Sequence, residues 1–476
     1  MKKNFMKIAA VTCLIVMALF VAGLPSAAKK PKPVPPVKNV ILLIGDGMGP
    51  YHVELTRRCL EVEELAMEEM DETGPSYVTT YALDRDDRTT HLITDSAAAG
   101  SALATGYKTY KRAISVDFDG NPLETVLERA EAEGKATGLV TDVYLQDATP
   151  SAFVVHAERR GDSILFSEQM ADSDVEVLMG AGEGFFLPKG EYGGQRTDGR
   201  NLIEEWEEKG YTYVDSAIEL ENADIILDEG DRLLGLFGGL YNMAYDLDRQ
   251  QDQNIGVPTL TEMTEKAIEV LSQDPDGFFL MVEGGSLDWV AHNKDVAGMV
   301  RETEAFDEAV QVAWDFATGE GAEETLVVVT ADHECGGLQI TSDSVGNEPP
   351  TFVPISEDLN VDFVMSITAT TDYMWGEIGR GADIEDTVEY YTGYDLSPAE
   401  LASINAAGVR GEMIISDLLS AEADVIWGFT GTDEGDHTFA AVPVYAYGPN
   451  AEKFDLVTDN TELSQQLFIA VSGEWH

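Results

Sequence analysis

Cysteine is nearly missing from this chain: three in 476 residues, and one of them, Cys13, sits inside an apolar N-terminal run. That excludes a fold held by a disulfide framework and leaves Cys59 and Cys335 as at most one bridge, with nothing to say that the two approach. Positive charge is scarce as well. Lys and Arg number 30 against 87 Asp and Glu, a formal net charge of −57, or −60 without Lys2, Lys3 and Lys7. Such a surface repels phosphate backbones, so nucleic acid is not expected as a partner, and self-repulsion of this size suits a salt-rich, halophilic setting that screens it. Histidine is rare, with seven residues, so the place of each one is informative. Beyond the N-terminal run no stretch is expected to span a membrane stably.

That run has the order of a secretory signal. Lys2, Lys3 and Lys7 precede an apolar segment at 8–24, followed by Pro25 and the small-residue exit Ser26-Ala27-Ala28. Residues 1–28 are therefore expected to be removed, giving a secreted or periplasmic protein; an uncleaved anchor is the alternative. Residues 29–38, rich in Lys and Pro, read as a stiff linker. The remaining 39–476 are enough for one large α/β domain with insertions, and a hydrophobic fraction of 44% supplies its core.

Buried parallel strands read as short continuous apolar runs. Residues 40–44, 138–141, 175–179, 278–282 and 325–330 have this form. Three of them end in carboxylates: Asp46 within Gly45-Asp46-Gly47-Met48-Gly49, Glu283 ahead of Gly284-Gly285, and Asp332 ahead of His333. Ligand sites in parallel sheets lie at the carboxyl ends of the strands. Helices are expected from 54 to 70, from 123 to 133, from Thr149 through Arg160, and from Thr259 to Leu271, where Thr259 and Glu262 have capping-box spacing. Residues 341–430 read as a folded insertion, with a helix opened by Ser397-Pro398 and closed at Gly408.

Thr94-Asp95-Ser96-Ala97-Ala98 places a hydroxyl at the start of a small-residue helix, where unpaired N–H groups and the helix dipole favour a phosphoryl group. Asp95-Ser96 is equally an ordinary helix cap. Asp288 and His292, four apart, share a helix face; with His437 they make a zinc-type ligand set. Asp46, Asp332 and His333 make a second. Glu283, Asp46 and the hydroxyl of Thr149 offer oxygen ligands for a third ion, which suits Mg²⁺, with Asp46 bridging. His52, His91, His156 and His476 carry no such company, and Cys335 reads as a small buried residue.

These segments, together with Asp147-Ala148-Thr149-Pro150 and Gly435-Asp436-His437-Thr438, resemble the motifs of the alkaline phosphatases, in that family's order and from about Asn39 to Ala451. The resemblance implies an α/β fold with a large mixed, mostly parallel central sheet between helical layers, a crown-like insertion and a homodimer. It implies two Zn²⁺ and one Mg²⁺ per subunit, and hydrolysis of small phosphate monoesters through a phosphoserine at Ser96, which is itself counted among the metal-contacting residues. Arg160 matches the phosphate-clamping arginine, with Arg159 as its neighbouring alternative, and Asp95 and Trp289 stand beside the substrate. Asp147 keeps a carboxylate near the third ion, and Trp289 stands where some members carry lysine or histidine.

Two rivals follow. A phosphodiesterase or sulfatase of the same superfamily would use a different nucleophile motif. An acidic, divalent-cation-binding surface protein would account for the charge but not for three histidines at strand ends.

Overall fold

The computed structural model describes residues 36–475 apart from 192, 228–229, 250–255, 340–358 and 429–436. The expected signal at 1–28, most of the linker and the first part of the insertion lie outside the described residues, as does His476.

Strand β1 (Asn39–Gly45) is buried at every position, as its unbroken apolar run predicts. It lies inside a nine-stranded sheet whose other strands are β2 (Ser76–Val78), β3 (Ala136–Tyr144), β4 (Val177–Ala181), β5 (Tyr211–Val214), β6 (Arg232–Leu236), β7 (Phe278–Gly284), β8 (Thr325–Thr330) and β9 (Val442–Tyr447). Their order is β2-β9-β8-β1-β7-β3-β4-β6-β5. Seven neighbouring strands run parallel; only β9 runs the other way, pairing antiparallel with β8 on one side and with the edge strand β2 on the other. The sheet is therefore mixed and mostly parallel.

Helices fill the connections, and those that frame the site are α1 (Pro50–Cys59), α2 (Ser96–Thr105), α3 (Ala148–Ser151), α4 (Ser286–His292) and α5 (Val296–Thr318). Both faces of β1, β7 and β8 are buried, so helices must cover each. The helix Leu260–Leu271 begins at Thr259 with the expected capping box to Glu262. The segment expected as one helix from 54 to 70 is instead α1 and a short turn at Ala66–Glu69. Asp307 restarts that turn by accepting hydrogen bonds from Ala66 N and Met67 N at 2.8 and 2.9 Å.

The described part of the insertion holds five α-helices, Val361–Ser366, Thr371–Gly379, Ile384–Thr392, Pro398–Ala407 and Gly411–Glu422, and a short strand Ile426–Trp427 paired with Leu338–Gln339. Ser397 and Glu400 close the expected capping box. Val364, Met374, Ile404, Ile415 and Leu419 form a small second core with Leu55 of α1 and Val296 and Val300 of α5. Among the described residues no helix is long and apolar enough to cross a membrane.

Candidate active site

Parallel pairing sets β1 between β7 and β8, with Ile44 opposite both Glu283 and Thr330. Asp46, Glu283 and Asp332 therefore leave the sheet at one level, on adjacent strands. Gly47 turns the chain there at a φ of 73°, and a Cβ on it would lie 2.9 Å from Asp288 Oδ1 and from Cys335 Cβ. Only glycine fits both the conformation and the space. Its N–H donates to Asp332 Oδ1 at 3.1 Å, tying the first strand end to the third.

Asp95 is the N-cap of α2, accepting from Ala98 N at 3.2 Å and from Arg112 N at 3.1 Å. The ordinary capping role is thus real. Ser96, the first helical residue, is nevertheless buried with its Oγ 3.2 Å from His333 Nε2. Every residue of α2 is buried, which its run of Ala, Gly and Ser side chains permits.

Asp288 and His292 share a face of α4, with His292 Nε2 3.2 Å from Asp288 Oδ2. His437 Nε2 lies 3.4 Å from Asp288 Oδ1 and 3.3 Å from His292 Nε2, and His437 Nδ1 is 3.1 Å from the Thr94 carbonyl. Ligand atoms of Asp288, His292, Cys335 and His437 all lie within 4.8 Å of one another, as do those of Asp46, Asp332 and His333. Both expected groups of three are brought together; Cys335 joins the first, buried and free of any disulfide. His333 and His437 stack at 3.6 Å between ring centroids, so the two groups adjoin.

The electrostatics of this centre are unbalanced. Burial, then Asp332, Asp288, Glu283 and Asp147, push the Asp46 carboxyl well above its ordinary range. Burial and Asp147 do the same to Glu283, and burial with Asp288 raises Asp332 to about 7. Burial opposes ionisation of Asp288 too, yet His292 and His437 hold it well below the usual carboxylate range. Burial and His437 keep His333 neutral, as a metal-binding imidazole must be. Asp46 Oδ1, Glu283 Oε1, Asp288 Oδ1, Asp332 Oδ2 and His333 Nδ1 are buried without a hydrogen-bond partner. Clustered, desolvated carboxylate oxygens of this kind are stable only if a cation or a proton neutralises them, and divalent cations fit the donor set.

The third set is looser. Thr149 Oγ1 donates to Asp46 Oδ2 at 3.2 Å, and Thr141 Oγ1 donates to Glu283 Oε2 at 2.5 Å. Asp147, rather than Thr149, caps α3: its Oδ1 accepts from Ala148 N at 2.7 Å, from Tyr144 Oη at 3.3 Å and from Arg160 Nη2 at 2.5 Å. The helix expected to run from Thr149 through Arg160 stops at Ser151. Ser115 Oγ takes the Ala152 carbonyl at 2.5 Å and Thr125 Oγ1 takes the Phe153 carbonyl at 2.7 Å, so those acceptors are bonded to side chains from other segments. Arg160 consequently lies past the helix, with Nη1 3.9 Å from Asp95 Oδ2. It faces the serine's cap while Arg159 is exposed. Trp289 is half-buried on α4 next to Asp288.

Sequence reasoning passed over the residues that support these groups. Asp142 Oδ1 accepts from Gly285 N and Ser286 N at 2.7 and 3.1 Å, holding the start of α4. Glu334 accepts from Thr438 Oγ1 and from Leu338 N, and its carbonyl accepts from Thr438 N, which fixes the chain beside His437. Asp142 follows the apolar run 138–141 as Asp46 and Asp332 follow theirs, so the same strand-end signal could have found it. His52 is buried and binds Gly49 N through Nδ1, while His91 stacks on Tyr81 and His156 meets Glu128.

Comparison with known proteins agrees with this geometry. A sequence model of the family described as alkaline phosphatase matches residues 37–472. Alkaline phosphatase 3 of Bacillus subtilis is 35% identical over 489 aligned positions, covering 98% of this chain and 97% of that protein. The crystal structure of a cold-active alkaline phosphatase from a Shewanella species matches at 28% identity with a TM-score of 0.75, covering 91% of this chain and 99% of that one. The Thermus thermophilus alkaline phosphatase matches at 25% identity with a TM-score of 0.78, covering 95% and 96%.

Proposed function

This chain belongs to the alkaline phosphatase family and is a phosphatase, and from that premise we propose that it hydrolyses phosphate monoesters by passing the phosphoryl group to Ser96 and then to water. The observation that carries this reading is the placement of Ser96 Oγ, at the first turn of α2 and 3.2 Å from His333 Nε2. In the first step Ser96 Oγ loses its proton and bonds to phosphorus while the bond to the ester oxygen breaks; the alcohol leaves with that electron pair and takes up a proton. In the second, a water oxygen bonds to phosphorus, the Oγ–P bond breaks, and Ser96 regains a proton as inorganic phosphate departs. The positive end of the α2 dipole, with the N–H groups that Asp95 leaves uncapped, favours negative charge on the phosphoryl oxygens in both steps. Arg160 offers two of those oxygens a planar fork, oriented by Asp147 and Asp95. Trp289 closes the side of the site next to Asp288.

Asp288, His292 and His437 would hold one zinc ion, and Asp46, Asp332 and His333, with Ser96 adjacent, the other. Glu283, Asp46 and Thr149, with Asp147 beside them, would hold magnesium. When bound, these ions supply Lewis acidity that lowers the pKa of hydroxyl and water and offsets charge on attacking and leaving oxygens. Metal analysis of the purified protein, with phosphate release measured from a monoester and a diester, tests the reading. Zinc, magnesium and preferential monoester hydrolysis are expected; preference for the diester would favour the phosphodiesterase reading.

The same reading extends to organisation. Residues 39–476 act as one catalytic domain, with an insertion at about 341–430, in a homodimer. Residues 1–28 direct export to a secreted or periplasmic location, where the charge of the chain suits a salt-rich medium.

A further inference from the structure

We propose that a wall of aromatic rings beside the site selects monoesters whose alcohol part carries a flat ring; this rests on the monoester reading above. Tyr144 is the centre of the wall. Its ring lies 5.4 Å from Tyr241 in an edge-on arrangement, 6.1 Å from Phe185 and 6.4 Å from Trp289, and Phe185 lies 5.7 Å from Tyr241. The wall meets the phosphoryl-holding groups at two points. Tyr144 Oη donates to Asp147 Oδ1 at 3.3 Å, the same oxygen that Arg160 Nη2 reaches at 2.5 Å. Trp289 directly follows Asp288 on α4.

Phe185 is buried and anchors the cluster, whereas Tyr241 is 51% exposed and Tyr144 and Trp289 are half-buried. Ring area therefore stays exposed in a cluster joined to Asp147 and Arg160 through Tyr144. The loop that carries Tyr241 is fixed to the end of β3, because its carbonyl accepts from Tyr144 N at 2.7 Å. A wall held in place before binding loses little freedom when a ligand arrives.

The phosphoryl end of every monoester is charged and alike, so only the alcohol part distinguishes one substrate from another. An aromatic alcohol gains edge-on or offset stacking against Tyr241 and Tyr144, while a small polyol presents no ring face and stays hydrated. The ring can sit on the ester oxygen, as in an aryl phosphate, or beyond a sugar, as in a nucleoside 5′-phosphate.

The test compares kcat/KM for phenyl phosphate, adenosine 5′-monophosphate and glycerol 2-phosphate in metal-loaded wild type, Tyr241→Ala and Tyr241→Phe. The ratio of ring-bearing to ringless substrate should fall by about 3- to 10-fold in Tyr241→Ala and be kept in Tyr241→Phe. A ratio does not depend on how much of the variant is folded or loaded, so a damaged preparation cannot mimic the effect. A fall for phenyl phosphate alone puts the recognised ring on the ester oxygen, and a fall for the nucleotide alone puts it beyond the ribose; either supports the wall. Unchanged ratios for both would overturn it. If wild type hydrolyses none of the three, the monoester reading fails and the wall fails with it.

Discussion

Two sets of buried acids occupy this protein, and they differ in what satisfies them. Asp248, Asp295 and Glu302 lie around α5 and the insertion and Asp142 lies on β3 at the start of α4, and each accepts hydrogen bonds from the chain. Asp248 takes Thr370 N and Oγ1 at 2.8 and 2.6 Å, Asp295 takes Thr371 N at 2.6 Å and Gly298 N at 2.8 Å, and Glu302 takes Asp246 N at 2.6 Å. Asp46, Glu283, Asp288 and Asp332 are as deeply buried, yet each keeps an oxygen with no hydrogen bond, and those of Asp46, Asp288 and Asp332 meet the ring nitrogens of the candidate ligands His333 and His437. Burial of a carboxylate is thus no sign of function by itself. The sign is a cluster of such unused acceptors beside histidines, since isolated ones also occur at Glu131 and Glu412.

Losing the nucleophile should have the largest effect and leave the acids of both sets untouched. Ser96→Ala is expected to cut steady-state monoester turnover by more than about 10³-fold, with metal content near wild type. Wild-type turnover in that variant would remove Ser96 from the mechanism. Arg160→Ala should slow turnover by about 10²-fold and weaken inhibition by inorganic phosphate, because the clamp is lost while the acids remain. If phosphate inhibition is unchanged there and weakened in Arg159→Ala, the clamp belongs to the neighbouring residue.

The structural acids sharpen the contrast from the other side. Asp295→Ala strands the donors of Thr371 and Gly298, at a cost of about 1–3 kcal/mol for each one left unsatisfied. A lower unfolding midpoint with unaltered metal content is the expected result; lost metal with an unaltered midpoint would reverse the assignment of the two sets. The smallest effect should come from salt, which acts on the exposed acids instead of either buried set. At about 0.01 M the Debye length is roughly 30 Å and at about 1 M roughly 3 Å, so screening should relieve repulsion that unfolding would otherwise relieve. The thermal midpoint is expected to rise from dilute buffer to molar NaCl with zinc and magnesium saturating. A flat or falling series would remove the charge argument, and restoration by millimolar Ca²⁺ would point to a discrete cation site.

The centre of the fold was legible because a strand buried on both faces must be apolar throughout, so β1, β7 and β8 announce themselves and the acids that close them stand out. Ser96 was legible only as one of two readings; Asp95 does cap the helix that begins with the serine, and the nucleophile reading stands as the proposal. What the sequence hid depends on partners distant in the chain. Thr149-Pro150 has the form of a helix start, but Asp147 is the cap, and carbonyls that would extend the helix are taken by Ser115 and Thr125. Cys335 looked like packing alone until its segment paired with His437 across the chain. The aromatic wall joins residues 144, 185, 241 and 289, which no spacing connects.

The claim that unused acceptors mark the metal-holding acids is tested most directly by metal analysis of two isosteric variants, Asp46→Asn and Asp295→Asn, dialysed side by side against the same zinc and magnesium buffer. Both substitutions replace one buried carboxyl by an amide and keep the side-chain shape. Asp46→Asn is expected to retain less metal per chain than wild type while Asp295→Asn retains as much. Equal metal content in the two variants would contradict the claim.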